Sequence, residues 1–331
     1  MKALIVGCGK QGEKHLSGYR ANGINDIAVT DVNPEALDGF AAKTQVAALA
    51  YSEAFDCGAT MASICTPTST HAETIGKCID RGIHFLCEKP LATDYQQAAS
   101  LHEMAEAAKT VGMVGYTYRY AQSFELAKKV LGTGQEGQPG HCLGNLTNAI
   151  FRIGGRGNHA VWKHLKSSDG GAINEMLVHM LDLAHWLLGP LHEVELIDSQ
   201  LTLAERVVGG KAVGCDAEDW VVLKCRTGCA VPVLIQADFT TPSFSQYVEI
   251  NGSNGSFWGS ITNNHNTTLT LLEAAEGYQK GINQFSFTPE NLYKKIIESF
   301  LVAQQTGGKI NKSPLQDSLR LMQWLEALQP S

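Results

Sequence analysis

Apolar positions in the first 120 residues fall into short runs separated by helical patterns. Strands are predicted at 3–6, 26–30, 46–49, 61–65, 84–87 and 113–116, where apolar and often β-branched residues cluster. Between them, 10–22, 34–43, 70–81 and 95–110 carry apolar residues at helical spacing. Strand and helix in alternation predict a parallel sheet covered by helices on both faces, and six strands suit a doubly wound α/β fold.

The pattern changes after a helical stretch at 124–131 and a glycine-rich link carrying Gly132, Gly134, Gly137 and Gly140. Longer alternating runs follow at 143–153, 194–208, 220–225, 230–239, 247–251 and 267–272. Asn251-Gly252 and Asn254-Gly255 supply turn signals between some of them. This half is predicted to be α+β, built on an open, mostly antiparallel sheet. Helices at 290–305 and 314–328 close the chain. A chain of 331 residues fits two domains. We divide it at 1–120 and 121–331, with the terminal helices able to pack back on the first domain.

The first predicted strand runs into Gly7, Gly9 and Gly12, and a helix follows at once. In such a turn the first glycine permits the bend, the second lets backbone approach a pyrophosphate, and the third lets helix pack on strand. Lys10 and Gln11 lie at the helix N-terminus, whose N–H groups face the anion. The second strand ends in Asp31, about 20 residues on, where an acidic residue accepts from a ribose 2′-hydroxyl. The first domain is therefore expected to be a dinucleotide-binding Rossmann domain. Val32, Asn33 and Pro34 follow Asp31 with no arginine close by, so NAD is expected in preference to NADP. Ligands in these sheets sit beyond the carboxyl ends of the strands. That makes Gly7, Asp31, Thr66-Pro67, Glu88-Lys89-Pro90 and Tyr118-Arg119 candidate wall residues of one crevice.

Composition narrows the partners. The net charge is −7, from 26 basic and 33 acidic residues, and no basic run is present. This argues against a nucleic-acid surface, whereas backbone and helix dipole hold a pyrophosphate without one. The apolar run before Gly7 is too short for a signal-peptide core, and no run approaches a membrane span, so a cytoplasmic protein is expected. The nine cysteines form no Cys-x-x-Cys pair and fit scattered reduced thiols. Cys225 and Cys229 flank a turn without ligand spacing, and no metal is expected.

One helix interrupts the strand-rich half, at 171–188, with Asp169 as its cap. At 100° per residue Glu175, His179, Asp182 and Trp186 share one stripe, opposite Ile173, Leu177, Met180, Ala184 and Leu188. A helix apolar nearly all round is buried, and buried carboxylate or imidazole groups are costly unless paired or used. Asp182 is read as a structural partner for His179 or nearby backbone. Glu175 and His179 are read as functional, because oxidising an alcohol with a nicotinamide requires a base for the hydroxyl proton. A cation near the forming carbonyl oxygen would stabilise its developing charge. His185 points elsewhere and is read as a surface or interdomain residue.

Together these motifs resemble the Gfo/Idh/MocA family, the glucose-fructose oxidoreductase and inositol dehydrogenase group. The resemblance is carried by Gly7-Cys8-Gly9-Lys10-Gln11-Gly12, Cys65-Thr66-Pro67 with His71, Cys87-Glu88-Lys89-Pro90-Leu91-Ala92, Tyr118-Arg119, and Gly170-Gly171 leading to Glu175, His179 and Asp182. It implies hydride transfer between NAD and a secondary alcohol or ketone of a sugar, inositol or related polyol. Lys89 would assist at the reacting oxygen, His179 would be acid and base, and Glu175 would complete the triad. Thr66, Pro67 and His71 would line the nicotinamide half, with Glu88 and Lys89 also beside the cofactor. A cis bond before Pro90 would aim Lys89 inward.

The chain departs from the family at three points. Glu175 and Leu177 stand where aspartate and glycine are usual, and Ala121 stands where proline follows the arginine motif. Candidate substrate contacts are Arg119, Arg152, Arg156, Asn158, Trp162 and Lys163, each equally readable as a solvated loop residue. The resemblance further implies a homodimer or homotetramer through the C-terminal sheet. Two other classes fit the same motifs: an enzyme that retains NAD through a transient oxidation, and a non-catalytic NAD-sensing regulator. Intact Lys89 and His179 weigh against the regulator.

Overall fold

The structure is a computed structural model that describes residues 1–132, 142–156, 160–168, 170–262 and 266–328. Asn158, Asp169, Gly134, Gly137 and Gly140 lie outside the described residues. The chain forms two compact units, one of Met1–Thr117 with Asn291–Glu326, the other built on Tyr118–Glu290.

In the first unit, β1 (Ala3–Val6), β2 (Ile27–Thr30), β3 (Ala47–Ala48), β4 (Met61–Ile64), β5 (His84–Cys87) and β6 (Gly112–Val114) form one sheet of order β3-β2-β1-β4-β5-β6. Every pairing is parallel. Helices α1 (Lys10–Ala21), α2 (Pro34–Thr44), α3 (His71–Asp80) and α4 (Tyr95–Ala107) connect the strands. The central strands β1, β2 and β4 are buried along their whole length, which explains their mostly apolar runs. The order reverses between β1 and β4, the switch point where such sheets open a ligand crevice. β3 covers only two residues, both exposed, because it closes the sheet as an edge.

The second unit holds α5 (Gln122–Leu131) and an eight-stranded sheet made of β7 (Leu146–Gly154), β8 (Leu191–Gln200), β11 (Trp220–Thr227), β12 (Pro232–Asp238), β13 (Ser245–Gly252), β14 (Gly255–Gly259), β15 (Thr267–Leu271) and β16 (Gly281–Phe285). Only β7 and β12 pair in parallel; the remaining pairs are antiparallel. The predicted run at 194–208 is two strands, β8 and β9 (Glu205–Val208). β9 forms a separate hairpin with β10 (Lys211–Gly214). The helix of the polar stripe begins as a π-helical turn, Ile173–Leu177, and continues as α6 (Val178–Leu188).

Helix α7 (Leu292–Gln305) and α8 (Leu315–Leu328) follow the sheet, and α7 lies on α1 within the first unit. The two helices pack backbone to backbone at Gly18, where an added Cβ would sit 2.6 Å from the Tyr293 carbonyl oxygen. Among the described residues no helix is long and apolar enough to cross a membrane. Among the described residues no cysteine is in a disulfide, and Cys229 is exposed.

Candidate active site

The glycine turn has the shape that a pyrophosphate requires. Gly7 has φ +104°, and a Cβ there would lie 2.7 Å from the Cys65 carbonyl oxygen. At Gly12 a Cβ would lie 2.2 Å from the Gly7 carbonyl oxygen, so the start of α1 is locked onto the end of β1. Gly9 has nothing within 4 Å of its Cβ position. It is the N-cap of α1, extended and without a side-chain cap, which leaves first-turn N–H groups for an anion. Lys10 and Gln11 follow in that turn.

Asp31 is fixed at the end of β2. Its Oδ2 accepts from the Cys8 N–H at 2.7 Å and its Oδ1 from the Asn33 N–H at 2.9 Å. Each carboxylate oxygen keeps acceptor capacity for a ribose hydroxyl. The Cys8 thiol is pushed up to about 12 by burial and by the Asp31 charge, so it stays neutral beside the cradle. The turn, the open Gly9 position, the uncapped helix and the oriented carboxylate together fit a dinucleotide.

The turns after β4 and β5 are tied together. Thr70 donates to Thr66 Oγ1 at 2.8 Å and to the Pro67 carbonyl at 2.9 Å. His71 opens α3, is 1% exposed, and places Nε2 at 2.9 Å from the Thr66 carbonyl oxygen and Nδ1 at 3.0 Å from that of Pro90. Burial holds the His71 imidazole below the usual histidine range, against the pull of those carbonyls and of Glu88. Its ring thus spans the two turns from beneath. The Lys89–Pro90 peptide is cis, as the resemblance implies. Lys89 is half-buried, and Glu88 is buried with Oε1 3.0 Å from His15 Nε2.

In the second unit, the chain at 118–119 braces α6 at two points. The Tyr118 ring lies 4.9 Å from that of His179, tilted by 34°. Arg119 forms a two-pronged pair with Asp182, Nε to Oδ2 at 3.1 Å and Nη2 to Oδ1 at 2.5 Å. Arg119 and Asp182 are 0% and 3% exposed. Adjacent residues thus grip positions three apart on one helix face, which orients His179. Arg119, counted above among candidate substrate contacts, is buried and paired with Asp182.

Glu175 sits in the π-helical turn, a feature common at functional sites. Its Oε2 accepts from Lys163 Nζ, and Lys163 lies 5.1 Å over the Trp162 ring. The predicted stripe is therefore divided among partners. Glu175 meets Lys163, His179 meets Tyr118, Asp182 meets Arg119, and the Trp186 carbonyl accepts from Lys128 at 2.5 Å. His185 Nδ1 lies 3.2 Å from the Gly189 carbonyl at the helix end. The Gly170-Gly171 pair explains how Lys163 reaches Glu175. A Cβ at Gly170 would sit 2.6 Å from the Trp162 carbonyl oxygen, and one at Gly171 would sit 2.3 Å from Glu218 Oε1.

Glu218 was not legible as a site neighbour. It accepts from the Ile173 N–H at 2.9 Å and so caps the π-helical turn, while burial raises its carboxyl above the ordinary range. Arg152 has its partners elsewhere on the sheet. It is held by Thr241 Oγ1 at 3.0 Å and Asp238 Oδ2 at 3.4 Å. Arg156 donates to the Thr240 carbonyl at 3.2 Å. Among the described residues no cluster of three or more His, Cys, Asp or Glu could hold a metal ion.

Residues 1–116 match the model of the oxidoreductase family's NAD-binding Rossmann fold, and residues 143–331 match the model of its C-terminal alpha/beta domain. The chain belongs to the Gfo/Idh/MocA oxidoreductase family. It is an NAD-binding oxidoreductase. It is 27% identical over 319 residues to an inositol 2-dehydrogenase of Rhizobium meliloti, covering 93% of this chain and 90% of that one. A myo-inositol 2-dehydrogenase of Thermotoga maritima is 25% identical over 280 residues, covering 82% and 78%. The fold also matches levoglucosan dehydrogenase solved with NADH and L-sorbose, with TM-score 0.84 and 20% identity over 99% of this chain and 95% of that one.

Proposed function

We propose that this protein is an NAD-dependent dehydrogenase that interconverts a secondary alcohol and ketone of a sugar, inositol or related polyol. The observation that carries this is the bracing of His179 by Tyr118 and Arg119 on a buried helix, in a chain whose first unit forms a dinucleotide cradle. The related inositol, levoglucosan and xylose dehydrogenases support the same reaction class. Bound NAD supplies the acceptor for the hydrogen and electron pair that leave carbon.

His179 takes the hydroxyl proton as the alcohol is oxidised and returns it in the reverse direction. Lys89 stabilises the negative charge that develops on the substrate oxygen. Glu175, held by Lys163, completes the triad, and the exposed Trp162 ring with Lys163 contacts the polyol. A homodimer or homotetramer formed through the C-terminal sheet completes this reading. Following NADH absorbance against a panel of inositols, aldoses, uronic acids and sugar nucleotides tests it. Turnover with a polyol or sugar supports the assignment, and tight NADH binding without turnover on any member defeats it.

Asp31 selects NAD because its carboxylate would accept from ribose hydroxyls and repel a 2′-phosphate. Asp31→Asn should narrow the ratio of NADPH to NADH dissociation constants by about tenfold or more, the size of one hydrogen bond to a charged group. Fluorescence titration of both cofactors measures it, and an unchanged ratio removes Asp31 from the ribose.

A further inference from the structure

Lys89 lies between two residues that are each held by a buried histidine. On one side is Glu88, whose Oε1 is 3.0 Å from His15 Nε2. His15 is 0% exposed, and its Nδ1 is 2.8 Å from Ser63 Oγ, which lies 2.9 Å from the Tyr19 hydroxyl. A second donor reaches Glu88 from α7. The Tyr293 hydroxyl is 3.5 Å from Glu88 Oε1 and 3.3 Å from Gln11 Oε1 in the glycine turn. Behind the carboxylate, a Cβ on Gly115 would meet Oε2 at 3.2 Å. On the other side is Pro90, whose carbonyl oxygen His71 Nδ1 approaches to 3.0 Å.

We propose that His15 and His71 are positioning residues for Lys89, holding its two chain neighbours so that its ammonium is aimed at the reacting oxygen. A buried carboxylate keeps its charge and rotamer only while its hydrogen bonds are made. His15, from the helix that receives the pyrophosphate, makes one of them. His71, from the next helix but one, holds the following carbonyl when its single N–H is on Nδ1. The titratable groups around Glu88 are His15 from α1, Tyr293 from α7, His71 from α3, and the Cys65 and Cys87 thiols at the strand ends. Burial keeps both thiols neutral. Neither histidine touches substrate in this scheme; both act through residues 88 and 90.

The inference rests on Lys89 acting in the proposed reaction, so Lys89→Met is assayed beside the histidine variants, with the best polyol of the panel. His15→Phe and His71→Phe should lower kcat by about 10- to 100-fold, the cost of misplacing a catalytic group by about 1 Å. NADH affinity and the polyol KM should stay within about threefold on the same grounds. His15→Gln and His71→Asn return an N–H near Nε2 and Nδ1 respectively, and should recover most of kcat. A purely structural role would lower Tm and leave kcat per folded protein unmoved. Wild-type kcat in the folded histidine variants, with Lys89→Met inactive, overturns this proposal alone. Unimpaired Lys89→Met, or no wild-type turnover on the panel, overturns the proposed function and this inference with it.

Discussion

Replacing His179 by alanine is expected to lower kcat by about 10²- to 10⁴-fold, the contribution of a positioned general base, while NADH affinity is nearly unchanged. The two effects separate because the dinucleotide cradle is built by the first unit, from Gly7, Gly9, Gly12 and Asp31. His179 belongs to α6 in the second unit. Its ring lies against Tyr118, and its helix is held by the Arg119–Asp182 pair, so removing the imidazole loses the Tyr118 contact but leaves the ion pair in place. Steady-state kinetics with the best polyol and a fluorescence titration of NADH give the two numbers. Turnover near the wild-type level would remove His179 from the proton-transfer role.

The second large effect concerns stability. Arg119→Met should destabilise the fold by about 3–5 kcal/mol, the usual cost of removing one partner of a buried ion pair. Asp182 would remain 3% exposed with both guanidinium bonds gone. The double variant Arg119→Met with Asp182→Leu should recover much of that loss, since an apolar pair of similar volume leaves no uncompensated charge. Urea unfolding of the single and double variants measures both. A single variant within about 1 kcal/mol of wild type, the range of an exposed pair, would show that the pair contributes no more than a surface contact. Because Asp182 follows His179 by three residues, the double variant also tests whether orientation survives without the charges: its kcat should fall although its stability returns.

Much of the fold is legible in the sequence because its strands are either fully buried or alternating. The runs ending at Val6, Thr30 and Ile64 are buried on both faces of a parallel sheet, and their mostly apolar character follows. Strand β7 shows its alternation in its burial. What escaped the pattern were short or weakly alternating pieces. β10 and β16 expose much of their length, so their few apolar residues mark no buried face, and β9 merged with β8 into one predicted run.

The site divides in the same way. Gly7, Gly9, Gly12 and Asp31 are close in sequence, and local geometry dictates them. The stripe at 175–186 was counted at 100° per residue, but the π-helical turn at 173–177 breaks that count, and each polar residue has its own partner. Arg119, read as a substrate contact, proved to be 63 residues away in sequence from the carboxylate that holds it. Glu218, 45 residues from the Ile173 N–H it caps, and Tyr293, 205 residues from Glu88, leave no local signal at all.

The claim that NAD is a consumed co-substrate, and not a retained cofactor or a sensed ligand, is tested most directly by stoichiometry. The wild-type protein is incubated with excess NAD and the best polyol, and ketone and NADH are quantified in the same sample. The account predicts equimolar ketone and NADH; polyol consumed with NAD recovered unchanged would contradict it.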